Sequence, residues 1–385
     1  MKILIIYPSL THPIDAGNKQ WVMSQVDVIK KLGHEVYMLC INVPGLKSDL
    51  RRNKEEAEFT RVFWGDYGFI FNASFWQRIK YSFFMNYRKK ICKGYYKCDD
   101  LYPRGLTKYV SKLQDIYHFD ACITNYYWLT KVFETVKFKK TAINTHDVFA
   151  YKDMVVGTKN PWMSTTPNEE AKGIQRAAYA FALQDEESAY YKRIAPSTKV
   201  LNVFCPYVVH EQSLTYNHNL VILSSSNSLN IEGFEWFCKN IYPSIIKEFP
   251  DVELKVGGYI CKKLNHYKNH EHITLVGAVE NPSDLYKYGD IAINPCINGT
   301  GLKIKTFEAL SYGKIAMTHP HSTIGIYDKS NAPVFDSASA DDWVNFLKII
   351  WSDQEQLKEM SAKSVNYIER MNKYISEQYS IFLNA

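Results

Sequence analysis

The sequence lacks any long apolar run and any regularly spaced cysteine cluster. No stretch approaches the roughly 18 apolar residues that a membrane-spanning helix needs, and the N-terminal segment MKILIIYPSL has only about four successive apolar residues, too few for a signal-peptide core. The eight Cys form no Cys-x-x-Cys pair, and no His/Cys set has zinc spacing. We therefore expect a soluble, cytoplasmic protein with buried free thiols, at most peripheral on the cytoplasmic membrane face.

Acidic metal motifs and nucleic-acid motifs are missing as well. No Asp-x-Asp triplet with a strand context occurs, so the sequence shows no evident cation site. The net charge of +6 suits an anionic partner, but it is too small to indicate nucleic acid without a motif of that kind. We expect no metal, no cofactor and no nucleic-acid partner.

The chain is long enough for two hydrophobic cores. With 385 residues, 46% of them apolar and 22% charged, two globular domains of roughly 150 to 200 residues each are expected. Strand and helix patterns alternate, which predicts an α/β protein with two parallel, Rossmann-like sheets. We place the domains at residues 1–210 and 217–370, joined by a polar linker, with a C-terminal helix at about 371–385 expected to pack back on the first domain.

Each predicted domain opens on a strand followed by an amphipathic helix. The first begins with strand Lys2 to Tyr7, helix Asn18 to Leu32 and strand Glu35 to Val43, which is a βαβ unit. In the second, a single helix is predicted from Ile231 to Glu248, and another from Lys303 to Tyr312 that ends at a glycine C-cap.

The most informative stretch is a strand, a glycine loop and a helix between residues 294 and 314. The loop contains Gly299 and Gly301 and stands at a helix N-terminus, where free N–H groups and the positive end of the helix dipole favour a phosphate. Lys305 and Glu308 are three residues apart on the helix, so one surface could hold a diphosphate and a ribose diol. An ordinary surface Lys–Glu pair is the alternative.

The pattern Gly-x-Gly-x-Lys-x-Lys-x-x-Glu-Ala in this stretch resembles the donor-site signature of GT-B glycosyltransferases, in the large retaining family of group 1, family 4-like enzymes. Segments 224–237, 250–258 and 273–279 resemble the same family in order and spacing. The resemblance implies two Rossmann-like domains facing each other across a cleft. It also implies transfer of a sugar from a UDP, GDP or dTDP donor to a glycan or lipid-linked acceptor, in biosynthesis of a bacterial capsule, O-antigen or lipopolysaccharide.

The resemblance also assigns roles to single residues. Glu308 would hold the donor ribose, and the backbone after Gly277, near Val279, would meet the base. Thr300 stands where many relatives carry a second glutamate that addresses the donor sugar, which leaves the sugar and the stereochemical outcome open. The expected donor-binding residues of the second domain are Ser226, Asn227, Gly277, Val279, Gly299, Thr300, Gly301, Leu302, Lys303, Lys305 and Glu308.

The first domain contributes four further candidates. Gly17 and Asn18 stand between the first strand and the first helix, where the family places a glycine loop near the donor phosphates; a plain turn with an N-cap Asn is the alternative. His146 and Asp147 follow a predicted strand, and strand ends collect ligand-facing side chains in α/β enzymes. His146 matches the family's active-site histidine, so the resemblance predicts that His146 and Asp147 are catalytic. A purely structural histidine is the alternative.

Residues 61–112 combine positive charge with aromatic side chains. The segment holds eleven Lys or Arg against three acidic residues, a mixture that suits weak contact with an anionic membrane. Amphipathic helices with core-facing aromatics and solvated lysines are the alternative. Membrane contact would indicate a lipid-linked or surface-glycan acceptor.

Two other functions remain open on the same fold. A nucleotide-sugar epimerase would rearrange the donor without an acceptor, and a noncatalytic sugar-binding relative would bind without turnover. Thr300 is the only residue that hints at the latter.

Overall fold

The computed structural model describes residues 1–14, 17–41, 56–65, 76, 79, 83, 95–156, 164–299 and 304–384. The chain forms two compact units. Unit 1 comprises Met1–Cys205 with Ile375–Ala385, and unit 2 comprises Pro206–Tyr374. Each unit contains one parallel sheet, so the α/β class and the two Rossmann-like sheets expected from the sequence are confirmed.

Unit 1 is built on a seven-stranded sheet. Its strands are β1 (Lys2–Tyr7), β2 (Glu35–Cys40), β3 (Arg61–Trp64), β4 (Ala121–Asn125), β5 (Lys140–Asn144), β6 (Tyr179–Ala182) and β7 (Lys199–Asn202). They lie in the order β3-β2-β1-β4-β5-β6-β7, all parallel. The strand order reverses between β1 and β4, and in open α/β sheets ligands bind outside the carboxyl ends of the strands at such a point.

The helices of unit 1 cover this sheet. The first helix, α1, runs from Gly17 to Lys31 and buries Trp21, Val22, Val26 and Ile29, which recur at helical spacing along one face. The other described helices are α2 (Leu106–Tyr117), α3 (Lys152–Val156), α4 (Pro167–Ile174) and α5 (Asp185–Ile194), with a 3-10 helical segment at Tyr127–Glu134.

Unit 2 repeats the plan with six parallel strands. They are β8 (Asn219–Leu223), β9 (Glu253–Gly257), β10 (Ile273–Gly277), β11 (Ile291–Asn294), β12 (Ile315–Thr318) and β13 (Val334–Asp336). Their order is β10-β9-β8-β11-β12-β13. The reversal therefore falls between β8 and β11, and it brings the ends of these two strands together.

The helices of unit 2 correct one sequence prediction. They are α6 (Ser228–Asn240), α7 (Tyr242–Glu248), α8 (Ser283–Tyr286), α9 (Ile304–Ser311), α10 (Ala340–Ser352) and α11 (Gln354–Asn384). The single helix predicted from Ile231 to Glu248 is wrong, because the chain breaks at Ile241 and Pro243 lies in the first turn of α7. A proline ring clashes with the carbonyl four residues earlier, so it cannot continue a helix.

Three short or unpredicted elements complete the two units. Strands β3 and β13 have only four and three residues, too few to show a clear alternation. Helix α10 was not predicted, although Ser339 caps it by accepting a hydrogen bond from the Asp342 N–H. The last helix, α11, is continuous from Gln354 to Asn384, and its residues from Ile375 onward belong to unit 1.

Candidate functional site

In unit 2, the candidate donor site lies at the carboxyl ends of β8 and β11. Beyond β8, Ser224 is buried, whereas Ser226 and Asn227 are exposed in the turn that leads into α6. The Asn227 side chain accepts from the Asn230 N–H at 2.8 Å, so it caps α6. This turn therefore places an exposed polar loop and a helix N-terminus beside the strand reversal.

Lys305 connects α9 to this turn. Its ammonium group donates to Ser224 Oγ at 2.7 Å and also to Asn230 Oδ1. These contacts hold the positive charge at the end of β8, near the N-terminus of α6. The Lys305 charge and the N-terminal end of α6 both favour an anion.

Glu308 lies one turn after Lys305 and is half-buried. Burial raises the pKa of its carboxyl to about 7, while Lys305 and a hydrogen bond from the Tyr286 hydroxyl act in the opposite direction. Tyr286 is buried and stacks on Tyr312, with ring centroids 4.8 Å apart. The carboxyl is therefore more shielded than in an ordinary surface Lys–Glu pair, and it titrates close to neutral pH.

The end of β10 lies beside the same cluster. Val279 packs against the core that contains Tyr286, and the Gly258 N–H donates to the Gly277 carbonyl at 2.7 Å. Gly277 has φ of +90°, and a Cβ added there would meet no atom of the described residues within 4 Å. The structure thus brings Gly277 and Val279, the predicted base contacts, to the sheet edge that carries Lys305 and Glu308.

The predicted glycine loop is described only at its first residue. Gly299 has φ of +107°, and its carbonyl accepts from His321 Nε2 at 2.9 Å. The predicted contacts Thr300, Gly301, Leu302 and Lys303 lie outside the described residues.

Gly258 provides a stability test of this strand-end arrangement. A Cβ added there would lie 2.2 Å from the Ser224 carbonyl oxygen, at φ of +95°. We expect Gly258→Ala to lower the free energy of unfolding by more than about 3 kcal/mol, because strain and a backbone clash add. Gly277→Ala is the matched control, since its φ is also positive but the space is open, and about 1 kcal/mol is expected. Urea unfolding measures both, and equal losses would contradict the steric argument.

In unit 1, His146 lies at the corresponding reversal, just beyond β5. Its Nε2 is 2.8 Å from Asn125 Oδ1 at the end of β4. Its ring stacks on Tyr126 at 4.2 Å and contacts the edge of Trp21 at 4.7 Å. Burial, and to a lesser extent the charge of Lys152, lowers the pKa of His146 to about 3. The ring is therefore uncharged at neutral pH.

Asp147 is tied into the loop that follows. Its carboxylate accepts from the Val148 N–H at 2.9 Å and pairs with Lys152 at 2.6 Å. The loop is further held by Glu170, which accepts from the backbone N–H groups of Phe149 and Ala150. These contacts give Asp147 a structural role as well as the predicted catalytic one.

Gly17 and Asn18 begin α1. The Asn18 amide donates to the hydroxyls of Tyr7 and Tyr126, each at 3.1 Å, and Tyr126 stacks on His146. The structure therefore brings Asn18 and His146 together through one tyrosine, at the end of β1 and β4.

Sequence reasoning missed Tyr126 and Asn125 as part of this cluster. Tyr126 has φ of +70°, which is rare for an aromatic residue and signals a backbone position imposed by its surroundings. The sequence signal that could have found them is the polar Asn125 at the end of the buried strand β4.

Within the described ranges, no three His, Cys, Asp or Glu side chains come together as a metal-binding group. The same part of the chain contains no helix long and apolar enough to cross a membrane.

Comparison with known proteins gives a family match within unit 2. Residues 217–353 match the family model described as Glycosyl transferases group 1. The family resemblance seen in the sequence is confirmed over this segment.

One curated relative is similar over a shorter stretch. It is an uncharacterized 44.6 kDa protein in the cps region of Klebsiella pneumoniae, 30% identical over 105 residues. The match covers 24% of this chain and 27% of the relative, so the chain spans about a quarter of the length of the relative it matches.

Several solved structures are similar over the whole chain. Sucrose-phosphate synthase from Thermosynechococcus elongatus has a TM-score of 0.68 at 12% identity, over 100% of this chain and 98% of that one. HepE of Anabaena in complex with UDP and glucose has 0.61 at 12%, over 99% of each. TarM of S. aureus in complex with UDP has 0.66 at 10%, over 100% of each. These likenesses confirm the GT-B fold.

Proposed function

We propose that this protein is a glycosyltransferase that moves a sugar from a nucleoside diphosphate donor to a glycan or lipid-linked acceptor. The observation that carries the proposal is the placement of Lys305 and Glu308 on one helix at the strand reversal of unit 2. A cation beside a helix N-terminus suits a diphosphate, and a carboxylate one turn away suits a ribose diol. Both residues lie inside the segment that matches group 1 glycosyl transferases.

The names of similar proteins support a proposal for the donor and the biosynthetic setting. HepE of Anabaena was solved with UDP and glucose, and TarM of S. aureus with UDP and α-GlcNAc-glycerol. The Klebsiella relative is named for a cps region. We therefore propose a hexosyl transfer from a UDP-sugar, with cell-surface polysaccharide biosynthesis as the setting.

The proposed reaction breaks the bond between the anomeric carbon and the donor phosphate. The acceptor oxygen bonds to that carbon and releases its proton to water, and the nucleoside diphosphate leaves with additional negative charge. Lys305 and the α6 N-terminus would stabilise that charge as it develops, which lowers the barrier directly.

This function is tested by incubating the protein with nucleotide sugars, with and without an extract of bacterial glycans and lipid-linked sugars. We expect release of nucleoside diphosphate and a labelled acceptor only when acceptor is present. A rearranged sugar with donor alone would indicate the epimerase instead, and binding without turnover across all acceptors would indicate a noncatalytic relative.

We propose that no divalent cation takes part and that no cofactor is needed, because Lys305 and the helix N-terminus supply the positive charge. Turnover is then expected to stay within about twofold of its starting value in excess EDTA. Loss of activity in EDTA that is restored by Mn²⁺ or Mg²⁺ would contradict this proposal.

We also propose weak docking on the cytoplasmic membrane face. Trp76, Ile79 and Phe83 are helical and exposed, which adds apolar side chains to the predicted contact. Most of the basic residues predicted to contact the membrane lie outside the described residues, including Arg88, Lys89, Lys90 and Lys93.

Co-sedimentation with phosphatidylglycerol vesicles tests this docking. Binding is expected at low salt and is expected to fade towards physiological ionic strength, because each basic residue contributes only about 1 kcal/mol and is screened. Changing those four basic residues to Gln should abolish it. Equal binding to neutral vesicles, or none at low salt, would contradict the electrostatic mechanism.

A further inference from the structure

Among the described residues of unit 1, three amide side chains are wholly buried in the core. Gln25 on α1, Asn125 on β4 and Asn144 on β5 each have 0% exposure. A buried amide is costly unless its donors and acceptors are satisfied. These three are hydrogen-bonded to one another beside the strand reversal.

Their hydrogen bonds form a chain with one fixed end. Asn125 Nδ2 donates to the Ile6 backbone carbonyl at 2.9 Å. Asn144 Nδ2 donates to Asn125 Oδ1 at 3.0 Å and to Gln25 Oε1 at 2.8 Å. Gln25 Nε2 donates to Asn144 Oδ1 and to the Tyr379 hydroxyl, each at 3.0 Å.

The backbone carbonyl of Ile6 determines the orientation of the chain. A carbonyl oxygen can only accept, so the Asn125 amide must present Nδ2 to it; the flipped amide would place two acceptors against each other. Asn125 Oδ1 then faces both Asn144 and His146. The orientation of all three amides follows from a group that cannot itself be reversed.

This orientation settles which ring nitrogen of His146 carries the hydrogen. Asn125 Oδ1 is an acceptor, so His146 Nε2, 2.8 Å away, must donate. His146 Nδ1 is then left with a lone pair, and it is buried without a hydrogen-bond partner among the described residues. Protonation of Nδ1 would bury an N–H group without an acceptor there.

We propose that Asn125 is a positioning residue that holds the His146 ring in its Nε2–H tautomer. His146 then serves the transfer reaction as an uncharged, fixed ring and not as the proton acceptor. This inference rests on the proposed glycosyltransferase function. Stacking on Tyr126 and the edge contact with Trp21 fix the ring plane. Asn125 Oδ1, held in place by the bond from Asn125 Nδ2 to the Ile6 carbonyl, fixes its rotation within that plane.

The tautomer can be read without substrate. Long-range ¹H–¹⁵N correlation spectra of ¹⁵N-histidine-labelled protein distinguish the two tautomers and the imidazolium, and the His146→Ala variant identifies the relevant signals. We expect a protonated Nε2 and an unprotonated Nδ1 from pH 8 down to pH 5. A protonated Nδ1, or an imidazolium within this range, would overturn the proposal.

Variants connect the tautomer to catalysis. Asn125→Leu removes the acceptor of Nε2–H, so it should lose the hydrogen-bonded Nε2–H signature, a proton signal shifted by that bond, and lower kcat at least about tenfold, with the donor Kd within about twofold of the original. Asn125→Asp keeps an acceptor for Nε2–H and, as the neutral acid that burial favours, a donor for the Ile6 carbonyl, so it should retain the signature and lose less kcat than Asn125→Leu. An unchanged kcat in a folded Asn125→Leu protein that has lost the signature would overturn the positioning role.

Gln25→Leu is the matched control for damage to the buried chain. It removes a member that does not contact His146, so it should lower stability while retaining the Nε2–H signature and changing kcat less than about threefold. Equal losses of kcat in both Leu variants would show a merely structural role. If the original protein turns over no nucleotide sugar, the proposed function is wrong. The tautomer measurement needs no substrate, so it tests the position of the His146 proton separately.

Discussion

Affinity for a nucleotide sugar is expected to fall about tenfold between pH 8 and pH 6, because Glu308 has a pKa of about 7. Only the ionised carboxylate offers two acceptor oxygens to a ribose diol. The sign follows from the raised pKa. The carboxylate is present above pH 7 and is lost as the pH falls through 7. Calorimetric titration with a nucleotide sugar is suitable, since its esterified diphosphate does not titrate in this range.

Glu308→Gln provides the comparison. It should flatten the pH dependence and weaken binding at pH 8 by roughly 10- to 150-fold, the effect of losing charged hydrogen bonds worth about 1.5 to 3 kcal/mol. Glu355→Gln, at an exposed position in unit 2, controls for the lost charge and should change neither property. A pH-independent affinity, or a Glu308→Gln variant that binds normally, would remove Glu308 from the ribose site.

The second large effect is expected for Lys305. Lys305→Met should lower kcat/KM at least about 100-fold, or about 2.7 kcal/mol of transition-state stabilisation, because the charge that develops on the leaving diphosphate loses its fixed cation. Binding of the nucleoside monophosphate should change less than binding of the diphosphate. Calorimetry with both nucleotides, alongside steady-state kinetics, separates the two effects.

The alternative is that Lys305 only ties α9 to the end of β8. Its bonds to Ser224 and Asn230 would support that role, and the variant would then lose stability and bind both nucleotides equally poorly. Lys239→Met, at an exposed site on α6, makes the same change in charge and should leave turnover unchanged. Changing Lys303 together with Lys305 should deepen the loss of turnover.

Much of the fold could be predicted because its signals are local. Buried parallel strands appear in the sequence as short apolar runs. Gly33 and Gly313 follow helix ends, with φ of +84° and +66°. The proximity of Lys305 and Glu308 also follows from helix geometry alone. The break at Ile241 was missed because its cause, Pro243, stands inside an otherwise continuous apolar pattern.

The surroundings of the candidate site residues could not be predicted in the same way. Tyr286 and Glu308 are 22 positions apart, and Asn125 meets Gln25 through Asn144 across three different elements. Only the strand order brings them together. The pKa values of Glu308 and His146 depend on this packing, since burial is the largest cause of both shifts.

The most direct test of a nucleotide-sugar enzyme is thermal unfolding in the presence of UDP, GDP, dTDP and CMP. A nucleotide that binds only the native state stabilises it by about 2.7 kcal/mol at 100 times its Kd. We expect a clear rise in Tm with one nucleoside diphosphate, UDP by our proposal, and a smaller rise in Glu308→Gln. No rise with any of the four nucleotides, for a protein that unfolds cooperatively, would contradict it.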